Sequence, residues 1–372
     1  MRRIATTGSP GAAVGAVLAA GLCLSVFVGT PQAAYANRPS CGGWQIQQTF
    51  DGDLDSISAS APDDVWAVGR AGNKATTEHF DGNTWSTVKA PGAKHGPDLE
   101  SVSVSPSGAA WAVGVTFDRH ERGKILTEHL VRKRTWEAFD SGLGDNQGKI
   151  PDNELTAVTV VSPTLAWAVG FSDYGWVVAP IAARWDGTGW HSVTMGPEGD
   201  NDRFLDTSAA SESDAWSLGL VDDQDVVTHY DGSTWTETPL PPETTNLLAV
   251  AGSDAEAWAV GGASTARSVI LRWDGTGWDR IPLRASFQGS LVAVSTPAPG
   301  LALAAGFVLP PGGGAPTPII DAWDGTSWSP EQVPGLAIGW ALSVTELASG
   351  EAWAVVREPD GRSAIAHRCP QS

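Results

Sequence analysis

The chain has 372 residues, and its 42 Asp and Glu against 23 Lys and Arg give a formal net charge of −19. A surface this acidic argues against nucleic acid and anionic membranes as partners, because both carry negative charge. The sequence also holds 18 tryptophans and only three cysteines, and the spacing of the tryptophans is the main guide to its architecture.

The first 36 residues have the features of a signal peptide. Arg2 and Arg3 form a basic start, residues 12–28 form an apolar run, and Ala34-Tyr35-Ala36 fits a small-residue cleavage site. A membrane anchor is the alternative, although the run is short for a stable span. We therefore expect residues 37–372 to be secreted into the extracellular space, free of the membrane after cleavage. Because the leader carries two arginines and no acids, the remaining charge is 21 − 42 = −21.

A tryptophan motif repeats along residues 37–372. Its first copy is Val65-Trp66-Ala67-Val68-Gly69, and the later copies lie 42 to 56 residues apart, beginning at Trp111, Trp167, Trp216, Trp258, Leu303 and Trp353. Self-similarity at this period indicates a repeat architecture. A second motif, from Phe80 to Trp85, recurs in most units, and its Asp-Gly pair between two short β-rich runs indicates a hairpin.

Each unit, averaging about 48 residues, has the pattern of four short strands. In the first unit these are predicted at Leu54–Ala59, Val65–Arg70, Thr76–Phe80 and Trp85–Lys89. No helical periodicity extends over ten residues or more outside the leader. We therefore predict an all-β fold, a single seven-bladed β-propeller of four-stranded blades with tryptophans packed between the blades.

Trp44 indicates how the ring closes. It is a fourth-strand tryptophan with no earlier strands before it, whereas the last unit stops at Cys369 before its fourth strand. We predict that a strand at about Trp44–Gln48 completes the seventh blade. Cys41 and Cys369 are the only cysteines left after cleavage, and an exported protein can join them in a disulfide.

The fifth unit has the clearest family signature. Trp258 begins a run that ends in Gly261-Gly262, and Trp273 and Trp278 follow. This pattern resembles the kelch-type propellers, which include the galactose-oxidase propeller, although only this unit keeps both glycines. The Asp-Gly turns also resemble the Asp-box of sialidase propellers, but they are one residue shorter and lack the leading Ser. The resemblance implies the fold and no particular activity.

Histidines and acids are the residues of this sequence that could bind a metal ion. Four histidines share one repeat position: His79, His129, His229 and His367. Equivalent positions on different blades lie far apart, so we interpret these side chains as packing residues. Acids gather where first strands begin, and Asp53, Asp98 and Glu154 are the candidate cation ligands at the channel mouth. Hard cations such as calcium prefer several oxygen ligands. Solvated turn acids are the alternative, and we expect no other cofactor.

The longest departures from the repeat lie on one face of the predicted ring, at residues 117–124, 140–153, 172–180 and 196–203. We call it the long-loop face. Six candidate ligand-binding residues lie on this face: Phe117, Asp173, Tyr174, Trp176, Asp202 and Phe204. A seventh, Trp340, lies at the channel mouth. Function often resides in loops on a rigid scaffold.

Three functions remain open from the sequence. The first is a secreted, non-enzymatic and monomeric propeller that binds an extracellular glycan, a cell-wall polymer or a protein. The second is a carbohydrate-active hydrolase or lyase that uses the carboxylates at the channel mouth. The third is a scaffold with no small ligand. The sequence contains no Gly-x-Ser-x-Gly, His-Glu-x-x-His or phosphate-binding glycine loop, and it indicates no catalytic residue.

Overall fold

A computed structural model describes residues 43–91, 95–132, 134–144, 152–197, 199, 201–262, 268–283, 289–310 and 314–369. Within these ranges the chain forms 28 strands in seven antiparallel four-stranded sheets, so the prediction of a seven-bladed all-β propeller is confirmed. The predicted signal peptide lies outside the described residues. Among the residues described, no helix is long and apolar enough to cross a membrane.

The strands follow the chain blade by blade. The N-terminal strand and the first three blades are β1 Trp44–Asp51; β2 Asp53–Ala61, β3 Asp64–Ala71, β4 Lys74–Phe80, β5 Trp85–Val88; β6 Asp98–Val104, β7 Ala110–Phe117, β8 Gly123–Arg132, β9 Thr135–Ala138; β10 Asp152–Ser162, β11 Leu165–Asp173, β12 Val178–Trp185 and β13 Trp190–Ser192. Blades four to seven are β14 Arg203–Ser211, β15 Asp214–Val221, β16 Gln224–Tyr230, β17 Trp235–Glu237; β18 Leu247–Gly252, β19 Ala257–Gly261, β20 Val269–Trp273, β21 Trp278–Arg280; β22 Gly289–Ala298, β23 Leu301–Val308, β24 Thr317–Trp323, β25 Trp328–Glu331; β26 Trp340–Glu346, β27 Ala352–Arg357 and β28 Arg362–Arg368.

The ring closes as predicted. The last sheet has the order β1-β28-β27-β26, and β1 pairs with β28 from Trp44 opposite Arg368 to Asp51 opposite Arg362. The seventh blade therefore contains both ends of the propeller. Cys41 lies outside the described residues, so its disulfide with Cys369 stays a prediction.

Tryptophans fill the space between blades. Each second-strand tryptophan of the first five blades meets the fourth-strand tryptophan of the next blade, with ring centroids 4.9–5.4 Å apart. Trp66 and Trp136 are one such pair, at 5.2 Å and nearly perpendicular. Edge-to-face packing of this kind adds to the free energy of burying both rings, so neighbouring blades stabilise one another.

The repeat histidines stack on the second-strand tryptophans of their own blades. His79 lies 4.2 Å from Trp66 between ring centroids, and its Nε2 lies 2.9 Å from Asp64 Oδ1. His229 and His367 are held in the same way, each by a carboxylate of its own blade at 2.9 Å. These contacts confirm that the histidines are packing residues on separate blades.

First strands line the channel, and each contains a β-bulge near its start. The bulge explains the glycine that ends the tryptophan motif. A Cβ on Gly69 would lie 2.1 Å from the carbonyl oxygen of Asp53, so no larger residue fits there without a shift. Serines after the bulges cover the exposed strand edge: the amide of Val102 donates to Ser56 Oγ of the preceding blade at 3.1 Å.

Candidate functional site

The loop between β11 and β12, on the long-loop face of blade three, presents an exposed tryptophan. Asp173 Oδ1 accepts a hydrogen bond from the amide of Gly175 at 2.6 Å, and the amide of Tyr174 donates to the carbonyl of Val177 at 2.9 Å. Gly175 has φ of 83°, a conformation that favours glycine. The turn is therefore fixed locally, and it holds Trp176 at its tip.

Trp176 is the most exposed large hydrophobic residue in the described part of the chain, at 78%. Its neighbour Val177 is also exposed, at 38%. The repeat tryptophans of the second strands are all at most 1% exposed. An indole that is held in water by an ordered turn, and that the repeat does not require, is available to bury its area against a ligand.

Phe117 lies on the same face but in different surroundings. Its side chain is 39% exposed at the end of β7, and its amide donates to the carbonyl of His95 at 2.9 Å. A Cβ on Gly96 would lie 3.4 Å from the Phe117 ring. The ring therefore rests on the link that enters blade two from blade one, while Trp176 belongs to blade three.

Two predicted ligand-binding residues are buried. Phe204 is 4% exposed and packs in a core cluster with Trp167 and Leu165. Asp202 is 1% exposed, and its carboxylate accepts hydrogen bonds from the amides of Gly199 and Asp222. Both side chains stabilise the blade and its link rather than face solvent. The prediction that Phe204 and Asp202 belong to the exposed ligand-binding surface is therefore wrong.

The position of Phe204 could have been recognised from the repeat. It pairs with Gly219 immediately before the bulge, where Leu54 pairs with Gly69 in the first blade. Every described copy of this position holds an apolar residue, so Phe204 belongs to the repeat and not to the loop at residues 196–203 that precedes it. The corrected surface on blade three consists of Asp173, Tyr174 and Trp176, with Val177 added.

Trp340 begins β26 at the channel mouth, as expected. It is half-buried and pairs with Arg357 across the first two strands of blade seven. Two blades separate blade seven from blade three around the ring, so the structure does not bring Trp340 to the Trp176 turn. It belongs instead with the charged residues of the mouth.

The channel mouth holds carboxylates that are partly neutralised by two arginines. Arg70 lies 3.5 Å from both Asp53 and Asp98. Arg357 Nε lies 3.2 Å from Asp53, and Arg357 also pairs with Asp55. The acids expected from the sequence include Asp53 and Asp98, whereas the two arginines were not among the expected residues. Both arginines directly follow the tryptophan motif of their blades, which was the signal that could have placed them at the mouth.

Burial and crowding raise the pKa values of acids in this cluster. Burial raises the pKa of Asp55 to about 6, although the nearby Arg357 opposes the shift. Burial, followed by the charges of Asp55, Asp98 and Glu154, raises the pKa of Glu100 to about 8. The pKa of Glu154 is raised by burial and by Asp98. Part of the cluster is therefore protonated near neutral pH, which lowers its negative charge.

The residue that forms the bulge in each first strand is polar on one side of the channel and apolar on the other. Asp55, Glu100 and Thr156 occupy the bulged positions in blades one to three, whereas the other four blades have apolar residues there: Leu205, Leu248, Val292 and Leu342. All seven are half-buried. The acidic residues are thus confined to one side of the channel.

The described residues contain no group of three or more His, Cys, Asp or Glu side chains placed to hold a metal ion. Asp53 and Asp98 face arginines, which compete with any cation for their oxygens. Asp206, another acid near the start of a first strand, lies apart from the mouth. Its Oδ2 accepts a hydrogen bond from the amide of Val250 in blade five at 2.8 Å.

Comparisons with known proteins identify the fold. No protein-family model matches the chain, and no curated protein matches it. The chain is similar to the solved structure of YCF48 bound to D1 peptide, with a TM-score of 0.57 and 14% identity over 90% of this chain and 99% of that one. It is also similar to YCF48 from Cyanidioschyzon merolae, with a TM-score of 0.57 and 14% identity over 88% and 99%. At this identity the likeness shows the propeller fold alone.

Proposed function

We propose that residues 37–372 form a secreted, non-enzymatic and monomeric binding protein whose long-loop face holds a segment of another protein. The observation that carries the proposal is Trp176, 78% exposed at the tip of an ordered turn. An aromatic anchor is the kind of residue that dominates the affinity of protein interfaces. Support for a protein ligand comes from YCF48, a propeller solved with a bound peptide.

The geometry supports a protein partner more than a glycan or cell-wall polymer. Val177 extends the apolar surface beside Trp176, and Asp173 already uses one oxygen to close the turn. A sugar would need several polar groups around the indole to pair with its hydroxyls. An apolar side chain of a protein needs only the exposed hydrophobic area.

Selection from a displayed library of random peptides, run beside a glycan array, tests the proposal. We expect peptides to be enriched, and Trp176→Ala to abolish their binding. Trp340→Ala, on blade seven, is the matched control and should leave the binding unchanged. Binding of glycans but not peptides would replace the protein partner with a sugar. Peptides that bind Trp176→Ala at full strength would refute the site.

A hydrolase or lyase at the channel mouth is the second candidate function. The observation that favours it is the unequal pKa values of Asp55 and Glu100, about 6 and about 8, in one cluster. Two carboxyls kept in different protonation states can act as base and acid. Cleavage of a polysaccharide by the chain, lost in Glu100→Gln, would establish this activity. Turnover that is unchanged in that variant would place the activity elsewhere.

Export and membership of a propeller family are two further proposals for this protein. We propose export through the signal peptide, supported by the basic start and the apolar run of residues 12–28. Membership of the kelch-type propellers is proposed from the motif that begins at Trp258. Asp53, Asp98 and Glu154, all among the described residues, do not form a group placed to hold a metal ion, and Asp53 and Asp98 pair with Arg70 instead. Millimolar calcium should therefore leave the melting temperature unchanged.

A further inference from the structure

The outermost strand of the closing blade differs from its equivalents. The fourth strands of the other six blades have three or four residues. β1 has eight, and it pairs along the whole of β28. Since the sheet order begins with β1, one edge of this strand has no sheet partner within the described residues.

The side chains along β1 are largely exposed. Residues 45–49 and Asp51 of β1 are exposed, and Ile46 is 38% exposed. A strand edge carries a row of backbone amides and carbonyls that can pair with another extended chain. Unlike the short outer strands, β1 is long enough to offer several such groups in succession.

β1 has few of the features that protect exposed edges. Natural edge strands are usually short, or carry lysine, proline or bulges. β1 contains neither lysine nor proline, and Asp51 at its end is its only charged residue. It has one bulge, at Gln47, whose side chain bonds to Trp85 Nε1 at 3.0 Å and to His367 Nδ1 at 3.1 Å. Pairing resumes at Gln48, so the bulge bends the strand without ending it.

We propose that the free edge of β1 binds an extended, net positively charged segment of another protein, which adds as a fifth strand to the closing blade. Backbone hydrogen bonds supply the affinity in this mode of recognition, and side chains at alternate positions supply the specificity. This site is separate from the Trp176 turn, which projects from the long-loop face of blade three.

Two arguments favour a segment over a second copy of the chain. Two folded copies that met along one eight-residue strand would bury far less than the roughly 1,600 Å² of a standard interface. Residues 37–372 also carry a charge of 21 − 42 = −21, so two copies repel each other. The same charge attracts a basic segment. The end of β1 adds to this negative charge, because three acids, Asp51, Glu358 and Asp360, interact with Arg362 there.

Peptides from the same displayed library serve as the probe, this time sorted by where they bind. Amide hydrogen exchange of the complexes should show protection of residues 44–51 by one class of basic peptides. Methylation of the peptide nitrogens, one residue at a time, should abolish binding at every second position, because alternate amides of a strand point to the same side. Protection confined to residues 173–177 would assign the peptides to the Trp176 turn and overturn the β1 site.

A pair of matched variants completes the test. Thr49→Lys places a repelling charge on β1, and we expect at least tenfold weaker binding of the basic peptides. Thr236→Lys makes the same change on the exposed fourth strand of blade four and should leave binding unchanged. Equal binding by both variants, with unchanged melting temperatures, would refute the proposal. If sedimentation shows that the parent chain forms dimers and that Thr49→Lys does not, the segment bound at the edge of β1 belongs to a second copy of the chain, and the proposal is wrong.

Discussion

At the scale of single residues, tryptophans of one chain have opposite roles because their positions in the repeat differ. Trp167 is 1% exposed, and its ring lies 5.1 Å from Tyr230 and 5.2 Å from Trp235 of the next blade. Trp176, nine residues later, belongs to a loop and has most of its surface in water. The first stabilises the interface between two blades, and the second contributes little to stability.

Alanine at these two positions should separate stability from binding. Trp167→Ala should lower the free energy of unfolding by about 3–5 kcal/mol, as expected for a large core truncation. Trp176→Ala should change it by less than about 0.5 kcal/mol. Chemical denaturation of both variants measures the difference. A large loss of stability in Trp176→Ala would show that the indole supports the fold.

Asp206 is a second instructive residue. It follows the bulge of its first strand, the position of Ser56 in blade one, and both side chains accept a hydrogen bond from an amide of the next blade. Burial raises the pKa of Asp206 from 3.8 to about 6, although the amides of Val250 and Thr207 oppose the shift. A serine would keep the hydrogen bond without the charge.

The variant Asp206→Ser should therefore be more stable than the parent chain at pH 7, by about 1–3 kcal/mol. The folded state holds the Asp206 proton more tightly than the unfolded state, so the parent loses stability as pH rises from about 4 to about 6. The advantage of the variant should shrink as pH falls through this range. Thermal unfolding at several pH values measures it, and a less stable variant at pH 7 would contradict the argument.

At the scale of elements, the repeat predicted the strands well and the loops poorly. The predicted first strand Leu54–Ala59 is part of β2, Asp53–Ala61, and the closing strand predicted at Trp44–Gln48 extends to Asp51. Equivalent strands of the seven units have similar side chains at equivalent positions. The pattern of one unit therefore helps to locate the strands of the others. Loops have no such repetition, which is why Phe204 was assigned to a surface although its strand buries it.

The closing blade also joins blade six through a partly buried ion cluster. Arg368 bonds to both oxygens of Glu331 in blade six at 2.9 and 2.8 Å and pairs with Glu346. Trp44 Nε1 donates to Glu331 at 2.6 Å. β1 and β28, the two ends of the propeller, are thus tied to blade six as well as to each other. No repeat motif predicts this cluster, because its members Trp44 and Arg368 meet only through the closure of the ring.

The disulfide prediction belongs to the same element. Trp44 and Arg368 are the first paired residues of β1 and β28, and Cys369 is the next residue after that pair. A bond between Cys41 and Cys369 would close a loop of 369 − 41 + 1 = 329 residues and stabilise the chain by roughly 5–6 kcal/mol in the loop-entropy account. A peptide map under non-reducing conditions should show the linked pair. Two free thiols in secreted protein would contradict the prediction.

At the scale of the whole molecule, charge is distributed unevenly. Residues 37–372 carry −21, and the channel concentrates acids in blades one to three, whereas the bulged positions of the other four blades hold apolar residues. Arg70 and Arg357 offset only part of this charge. The sequence could predict that acids meet at the mouth, since first strands start there. The arginine pairs depend on side-chain reach across blades, which spacing alone does not reveal.

This uneven charge should make stability depend on pH, with Glu100 as the main contributor. Its pKa rises from 4.5 to about 8, first through burial and then through Asp55, Asp98 and Glu154. Because the folded state binds this proton more tightly than the unfolded state, stability should fall as pH rises from about 4.5 to about 8. Above that range both states are ionised, and the full penalty of the buried charge is present.

Glu100→Gln keeps the shape of the side chain and removes its titration. The variant should be more stable than the parent at pH 8 by about 2–4 kcal/mol, and nearly equal to it at pH 4. Glu237→Gln, an exposed carboxyl on β17, is the matched control and should leave the profile of the parent unchanged. Melting temperatures measured across pH 4–9 give all three profiles. Parallel profiles for Glu100→Gln and the parent would mean that water or a bound cation already compensates the charge of Glu100 at the mouth.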